Sequence, residues 1–181
     1  MTFNEDFFRL REEEFIGVFM NSRLKYRGIE ARRRDTPPIV RKMQLEILEK
    51  LVEARGPEQL REKALEAIEV YRGYVRRLIL RGVSIEDLAI TQILSIEPDN
   101  YAVEVRQAVA AKHLERVGIR IVPGQAITYV IAGARGRYRT VPIQLVREGL
   151  YRLEPYLSML KKAIYTIVAL ILEKLRTISI L

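Results

Sequence analysis

The chain of 181 residues contains no cysteine. That absence removes disulfide bridges, thiolate metal sites and cysteine nucleophiles together. Histidine is nearly absent as well. His113 is the only one, so no site that needs two imidazoles can form. Long hydrophobic runs are missing too. The longest, Ala163 to Leu172, is interrupted by Thr166 and falls short of the roughly 20 apolar residues that a bilayer span needs. Met1 to Arg11 lacks the basic-then-apolar order of a signal peptide. There is no internal repeat and no low-complexity segment. These absences together lead us to expect a cytoplasmic location and no membrane partner.

What is present is an ordinary globular balance, 49% hydrophobic and 30% charged. The length suffices for one domain with a sizeable core, or a main domain with a small lobe. Lys and Arg number 31 against 23 Asp and Glu, a net charge of +8. Such a surplus fits a nucleic-acid or other polyanionic partner, and equally a basic protein without one. The surplus is also local: residues 102–147 hold eight Lys or Arg against two Glu. The abundance of arginine and the lack of cysteine hint at a thermophilic source.

The order of elements follows from periodicity and punctuation. Glu14 to Met20 reads as a strand, Asn21-Ser22 as a turn, and Leu24 to Arg32 alternates apolar with polar residues, which predicts a β-hairpin. Thr36-Pro37-Pro38 opens a helix, with Thr as N-cap and proline tolerated in the first turn. Ile39, Val40, Met43, Ile47, Leu48, Leu51 and Val52 form its apolar face. Gly56 ends that helix and Pro57 begins a second one, which Gly82 stops. The predicted buried face of the second helix is Leu60, Ala64, Leu65, Ile68, Tyr71, Val75, Leu78 and Ile79. The short joint predicts an antiparallel pair. A capped turn at Ser84 to Asp87, a strand at Ala89 to Leu94 and a turn at Pro98-Asp99-Asn100 come next. A helix from Tyr101 to Val117 closes at Gly118. Strands at Ala126 to Ala132 and Tyr138 to Ile143 follow the Pro123-Gly124 turn. A final helix runs from Glu154 to Arg176. The fold class is α+β: a β-hairpin, a helix pair, a small strand-and-helix lobe and a closing helix.

Several residues suggest phosphate contact. Arg32, Arg33 and Arg34 precede a helix start, where free N–H groups attract anions. They serve equally as a solvated run, or as partners of Glu12, Glu13 and Glu14 across the hairpin. Arg135, Arg137 and Arg139 alternate beside Gly133 and Gly136, so an extended segment would line one face with guanidiniums. The alternative is an exposed mobile turn. Arg106, Lys112, Arg116 and Arg120 belong to the same basic lobe, and contacts of this kind are insensitive to sequence and strongly salt-dependent. His113 is expected at the surface, with no catalytic role. The final helix is apolar on most sides, which suits either a core or a docking face. A hydrolase or nuclease is disfavoured for want of a metal constellation.

Three stretches resemble archaeal family-B DNA polymerases. Arg27-Gly28-Ile29-Glu30-Ala31-Arg32-Arg33-Arg34-Asp35, then Thr36-Pro37-Pro38, looks like the family segment that leaves the palm hairpin and enters the first thumb helix. Ile90-Thr91-Gln92-Ile93-Leu94-Ser95, then Tyr101, is similar to a strand beyond the first thumb helices. Gly118-Ile119-Arg120-Ile121-Val122-Pro123-Gly124, then Tyr129-Val130-Ile131, looks like the family's Pro-Gly turn and following strand. Order and spacing match over roughly residues 12 to 175.

The resemblance implies a palm-type segment at 1–35, as a hairpin remnant, and a mostly helical thumb at 36–181 with a small β lobe. It implies a thumb that grips primer-template duplex DNA, with Thr91 and Ser95 as further backbone contacts and Tyr101 as a weaker one. In some archaea a polymerase of this family is divided between two polypeptides, the smaller carrying the thumb. The expectation is therefore a non-catalytic, nucleoid-associated subunit docked on a large catalytic subunit. Phe15, Glu12, Glu13, Glu14, Leu160, Ile164, Ile167 and Ile171 are the expected docking residues. No cofactor is expected on this chain, and Mg2+ belongs to the catalytic partner. The family's metal-binding aspartates lie upstream of this region, and the chain has no Asp-Thr-Asp. Two-metal phosphoryl transfer needs such carboxylates. The sequence departs from the family at Glu12-Glu13-Glu14-Phe15, where Lys-Lys-Arg-Tyr is usual, at Gln92, where a basic residue is usual, and at Arg106-Gln107, in place of Pro-His. These departures keep open a second reading, a structural subunit of a degenerate polymerase with little DNA contact.

Overall fold

The computed structural model describes residues 3–11, 14–19, 24–27, 29, 31, 33–132, 139–147 and 149–178. They form two compact units. One comprises Met1–Arg33, Val40–Arg76 and Ser158–Leu181; the other comprises Arg34–Ile39 and Arg77–Leu157.

In the first unit, β1 (Phe3–Arg11), β2 (Glu14–Phe19) and β3 (Leu24–Arg27) make an antiparallel sheet in the order β1-β2-β3. The predicted hairpin is β2 and β3, with Phe15 opposite Arg27 and Val18 opposite Leu24. Its second strand ends at Arg27, short of the predicted Arg32. Strand β1 was not legible, because Phe3-Asn4-Glu5-Asp6-Phe7-Phe8 lacks the two-residue alternation that marks a strand. The register also bears on Glu14. Its backbone partner is Arg11 of β1, and the β2–β3 pairing ends at Phe15 opposite Arg27. The expected pairing of Glu12 to Glu14 with Arg32 to Arg34 involves Glu12, Glu13 and Arg32, which lie outside the described residues.

Helix α1 (Pro38–Leu51) starts on the proline pair and buries Ile39, Val40, Met43, Ile47, Leu48 and Leu51, the predicted face. Helix α2 (Pro57–Ile79) lies antiparallel to it over its first five turns. Three contacts fix the direction, since the numbers fall along one helix as they rise along the other. Lys63 pairs with Glu53 at 2.8 Å and Glu66 with Lys50 at 3.6 Å. The Tyr74 hydroxyl donates to Glu46 at 3.0 Å. The buried stripe of α2 is Leu60, Ala67, Tyr74 and Leu78. It is rotated from the predicted face, so Leu65 and Ile79 are exposed, at 66% and 52%. Two stripes that share Leu60 and Leu78 run along this helix, and the predicted one took Ala64 and Tyr71 in place of Ala67 and Tyr74.

Helix α5 (Leu153–Ile178) closes the chain. Leu160, Ile164, Ile167 and Ile171 are buried within this chain, at 0%, 8%, 0% and 2% exposure. Intrachain packing thus occupies these four, the core role that the apolar final helix equally suits. A polar group fixes the same region. Gln44 is fully buried on α1. Its Oε1 accepts from the Ala31 N–H at 2.7 Å, and its Nε2 donates to the Ala163 carbonyl at 3.2 Å. One amide thus joins two segments and satisfies the Ala31 N–H, which would be costly to leave unpaired.

The second unit holds an antiparallel sheet of β4 (Ile90–Ile93), β5 (Ala126–Ala132) and β6 (Arg139–Pro142), with β5 central. The short helix α3 (Ile85–Leu88) precedes it, and Ser84 caps that helix by accepting from the Asp87 N–H at 3.3 Å. Helix α4 (Arg106–Glu115) begins five residues later than predicted. Val105 is extended, so the apolar spacing of 101–105 is not continued into a helix. The Pro98–Asn100 turn and the Pro123-Gly124 turn form as expected. Gly124 has φ +91, and its N–H donates to the Leu94 carbonyl at 2.7 Å, which joins the end of β4 to the start of β5.

Candidate nucleic-acid interface

Register divides the second sheet into two faces. Ile90 pairs with Tyr129 and Gln92 with Ile127; Tyr129 pairs with Pro142 and Ile131 with Thr140. Alternation places these on one face, and all but half-buried Gln92 are buried. The Tyr129 hydroxyl donates to Gln92 Oε1, and burial pushes the Tyr129 phenol up to about 12. The Thr140 hydroxyl donates to the Arg106 carbonyl at 2.8 Å and so ties β6 to the start of α4.

Past the end of β4, the backbone of Ile131 is taken up by α5 and the residue preceding it. Its N–H donates to the Tyr156 hydroxyl at 2.8 Å, and its carbonyl accepts from the Arg152 N–H at 2.9 Å. Tyr156 is fully buried, and burial raises its pKa. Tyr151 stands edge-on to Tyr156 with ring centres 6.1 Å apart, and its hydroxyl donates to the Leu78 carbonyl at 3.0 Å.

The opposite face of the sheet carries Thr91, Ile93 and Thr128 at one end and Ala132, Arg139 and Val141 at the other. The Thr91 and Thr128 hydroxyls share a hydrogen bond of 2.9 Å. At the Arg139 end lies a concavity of about 740 Å³. Arg81, His113, Arg116 and Arg139 bring basic groups to it, and Val117, Val141, Leu145, Leu150 and Tyr151 bring apolar surface. Among the described residues that line it, none is acidic.

Two of its basic groups are held in place. Arg81 follows α2 in the left-handed conformation, at φ 59. Its N–H donates to the Leu78 carbonyl, and the Gly82 N–H donates to the Arg77 carbonyl. This is the helix-ending pattern in which glycine ordinarily fills the left-handed position. The Arg81 guanidinium donates to the Tyr151 carbonyl at 2.8 Å and to the Gly149 carbonyl at 3.3 Å. It lies 4.3 Å from the centre of the Tyr151 ring, a cation–π distance. Arg139 Nε donates to His113 Nε2 at 3.4 Å. Burial, then Arg139, then Arg116 hold the His113 imidazole below its ordinary pKa, against a hydrogen bond with the Thr140 backbone that raises it.

The other predicted site residues are dispersed. Lys112 is paired with Asp99 at 2.7 Å, and Arg120 with Glu97 at 3.4 Å. Arg106 begins α4 and is exposed. Ser95 is exposed, and its N–H donates to the Tyr101 hydroxyl at 3.0 Å. Arg33 and Arg34 are exposed ahead of α1. Arg32, Arg135, Arg137, Glu12 and Glu13 lie outside the described residues, and Glu14 and Phe15 are placed through the backbone of β2. Sequence reasoning missed Arg81. The signal was its place immediately before Gly82, at the end of a long periodic helix. Among the described residues no group of three or more His, Asp or Glu side chains converges as a metal site. No helix among them is long and apolar enough to cross a membrane.

Residues 11–171 match the model of DNA polymerase family B, and the chain belongs to that family. It is similar to DNA polymerase 1 of Saccharolobus solfataricus, 26% identical over 151 residues that cover 83% of this chain and 17% of the relative. It is also similar to a DNA polymerase of Archaeoglobus fulgidus, 26% identical over 143 residues, covering 78% and 17% respectively. The fold resembles that of the family B DNA polymerase from the hyperthermophilic archaeon Pyrobaculum calidifontis, with a TM-score of 0.71 and 22% identity, over 87% of this chain and 20% of that one. The chain thus spans 17% of the length of these two curated relatives. The mixed helical architecture with a small antiparallel sheet is a family-B polymerase fold.

Proposed function

We propose that this chain is the non-catalytic thumb portion of a two-chain family-B DNA polymerase. In this reading residues 1–35 are a palm-type segment and 36–181 the thumb. The observation that carries it is the family match over residues 11–171, a stretch that contains the whole basic lobe. Duplex DNA presents closely spaced phosphates, and cations on one surface bind them by releasing counterions, without reading sequence. In this reading Arg106, Lys112, Arg116, Arg120 and Arg139 make such contacts, with Arg32 to Arg34, Thr91, Ser95, Arg135 and Arg137 as further ones. Contact of this type slows release of DNA and leaves the chemistry to a large subunit, which carries the metal-binding aspartates and Mg2+. Docking on that subunit falls to the segment Glu12 to Phe15.

A second reading, a structural subunit with little DNA contact, draws on the pairing of Lys112 with Asp99 and of Arg120 with Glu97. Binding of primer-template duplex across a salt series separates the two. A gripping thumb gives a log affinity that falls steeply with log salt, and Arg116→Ala and Arg139→Ala each reduce the slope by about one. Absent or salt-insensitive binding supports the structural subunit. Recovery of a catalytic family-B chain by tagged protein from native extract tests the two-chain arrangement.

A further inference from the structure

The concavity beside β6 has properties that duplex gripping does not require. Arg81, Arg116 and Arg139 bring three positive charges to one hollow whose described lining holds no carboxylate. Like charges gathered in one hollow repel until an anion enters, and Glu154, outside the lining, offsets Arg81 alone. Arg81 also occupies a left-handed backbone position that glycine fills without strain. A strained residue held by surrounding contacts points toward function. Here two carbonyls and an aromatic ring fix its guanidinium, so the cation is pre-organised. Arg139 spends its Nε on His113, which leaves its two terminal amino groups for another acceptor. Guanidinium forks match phosphate geometry in this way.

The other wall is apolar. Leu145 and Leu150 are 39% and 52% exposed beside Val141. The volume, about 740 Å³, lies in the range of small-molecule sites, which combine apolar walls with a few convergent polar groups. An anion alone has no use for that wall, and an apolar ligand alone has none for the arginines.

We propose that this concavity is a nucleotide site: Arg81, Arg116 and Arg139 hold a phosphate group, and Val141, Leu145 and Leu150 carry the attached base. The site takes one nucleotide unit, either a free nucleotide or the end of a strand. It does not rest on the thumb reading, because gripping needs only phosphates along a surface.

Calorimetry on the full chain tests it, with dAMP, deoxyadenosine and inorganic phosphate as probes and the His113 imidazole resonance as a local reporter. The expected result is dAMP binding about tenfold tighter than either fragment, with a shift of the His113 signal. Arg116→Ala with Arg139→Ala weakens dAMP by about tenfold or more. Both side chains are exposed, so the fold should persist, and circular dichroism checks it. Should that variant fail to fold, Arg116→Lys with Arg139→Lys keeps the charge, loses the forks and still weakens dAMP. Leu150→Asp weakens dAMP and leaves inorganic phosphate unchanged. A 5′-phosphorylated oligonucleotide that competes with dAMP, where its unphosphorylated twin does not, assigns a strand end; failure of both to compete assigns the free nucleotide. Equal affinity for dAMP and inorganic phosphate overturns the proposal. So does dAMP binding that the arginine variants leave intact, or a hexaglutamate peptide that occupies the site while dAMP does not. Salt-dependent duplex binding that survives any of these results leaves the thumb reading standing.

Discussion

At the scale of single residues, Gln44 carries more of the fold than its chemistry announces. Replacing it with leucine keeps the volume and removes both hydrogen bonds, which strands the Ala31 N–H in the interior, while the Ala163 carbonyl keeps its place in the helical ladder of α5. Gln44→Leu is expected to destabilise by about 1–3 kcal/mol, the usual cost of one unsatisfied group. Urea denaturation measures it. The position was partly legible: Gln44 stands four residues after Val40 and four before Leu48, inside the apolar stripe of α1. A reading that collects only aliphatic residues passes over it, since nothing local announces a carbonyl 119 residues away. His113 gives a pH signature. Its folded pKa lies below its ordinary value of 6.5, chiefly through burial. Below that pH the unfolded chain takes up a proton that the folded chain resists, so this contribution is complete above pH 6.5 and stability declines as pH falls. His113→Gln should flatten that decline, read as the difference in urea midpoint between pH 5 and pH 8.

At the scale of elements, the end of α2 offers a sharper test. Arg81 combines an unfavourable backbone with favourable side-chain contacts. Arg81→Ala removes the contacts and keeps the strain; Arg81→Gly removes both. The glycine variant is therefore expected to be the more stable of the two by about 1 kcal/mol, and thermal or chemical unfolding of the pair decides it. The helices themselves were legible, since Pro38, Pro57 and Gly82 punctuate them. The rotation of α2 was not, because two stripes share Leu60 and Leu78 and only packing against α1, through Lys63, Glu66 and Tyr74, selects between them. The same limit applies to α4, where spacing alone suggested a start at Tyr101 and the helix starts at Arg106.

At the scale of the whole molecule, the +8 net charge is less available than the composition implies. Asp99 and Glu97 hold Lys112 and Arg120. Asp99→Asn with Glu97→Gln frees both cations, and on the thumb reading should tighten duplex binding and steepen its salt dependence, measured by fluorescence anisotropy. Exposed pairs contribute little to stability, so the fold should be unaffected. The basic lobe was visible in the sequence as a local surplus. The concavity was not, because its arginines come from three stretches, at 81, 116 and 139, that only the folding of β5, β6 and α4 makes neighbours.

The amide of Gln44 also sets an order of events. Its acceptor on α5 is synthesised 119 residues after it, a delay of about 6–24 seconds at usual translation rates. Throughout that interval the donor half of the amide stays without its native acceptor. The core of the first unit therefore closes only after α5 has emerged, and α1 waits for it with its apolar face uncovered by that helix.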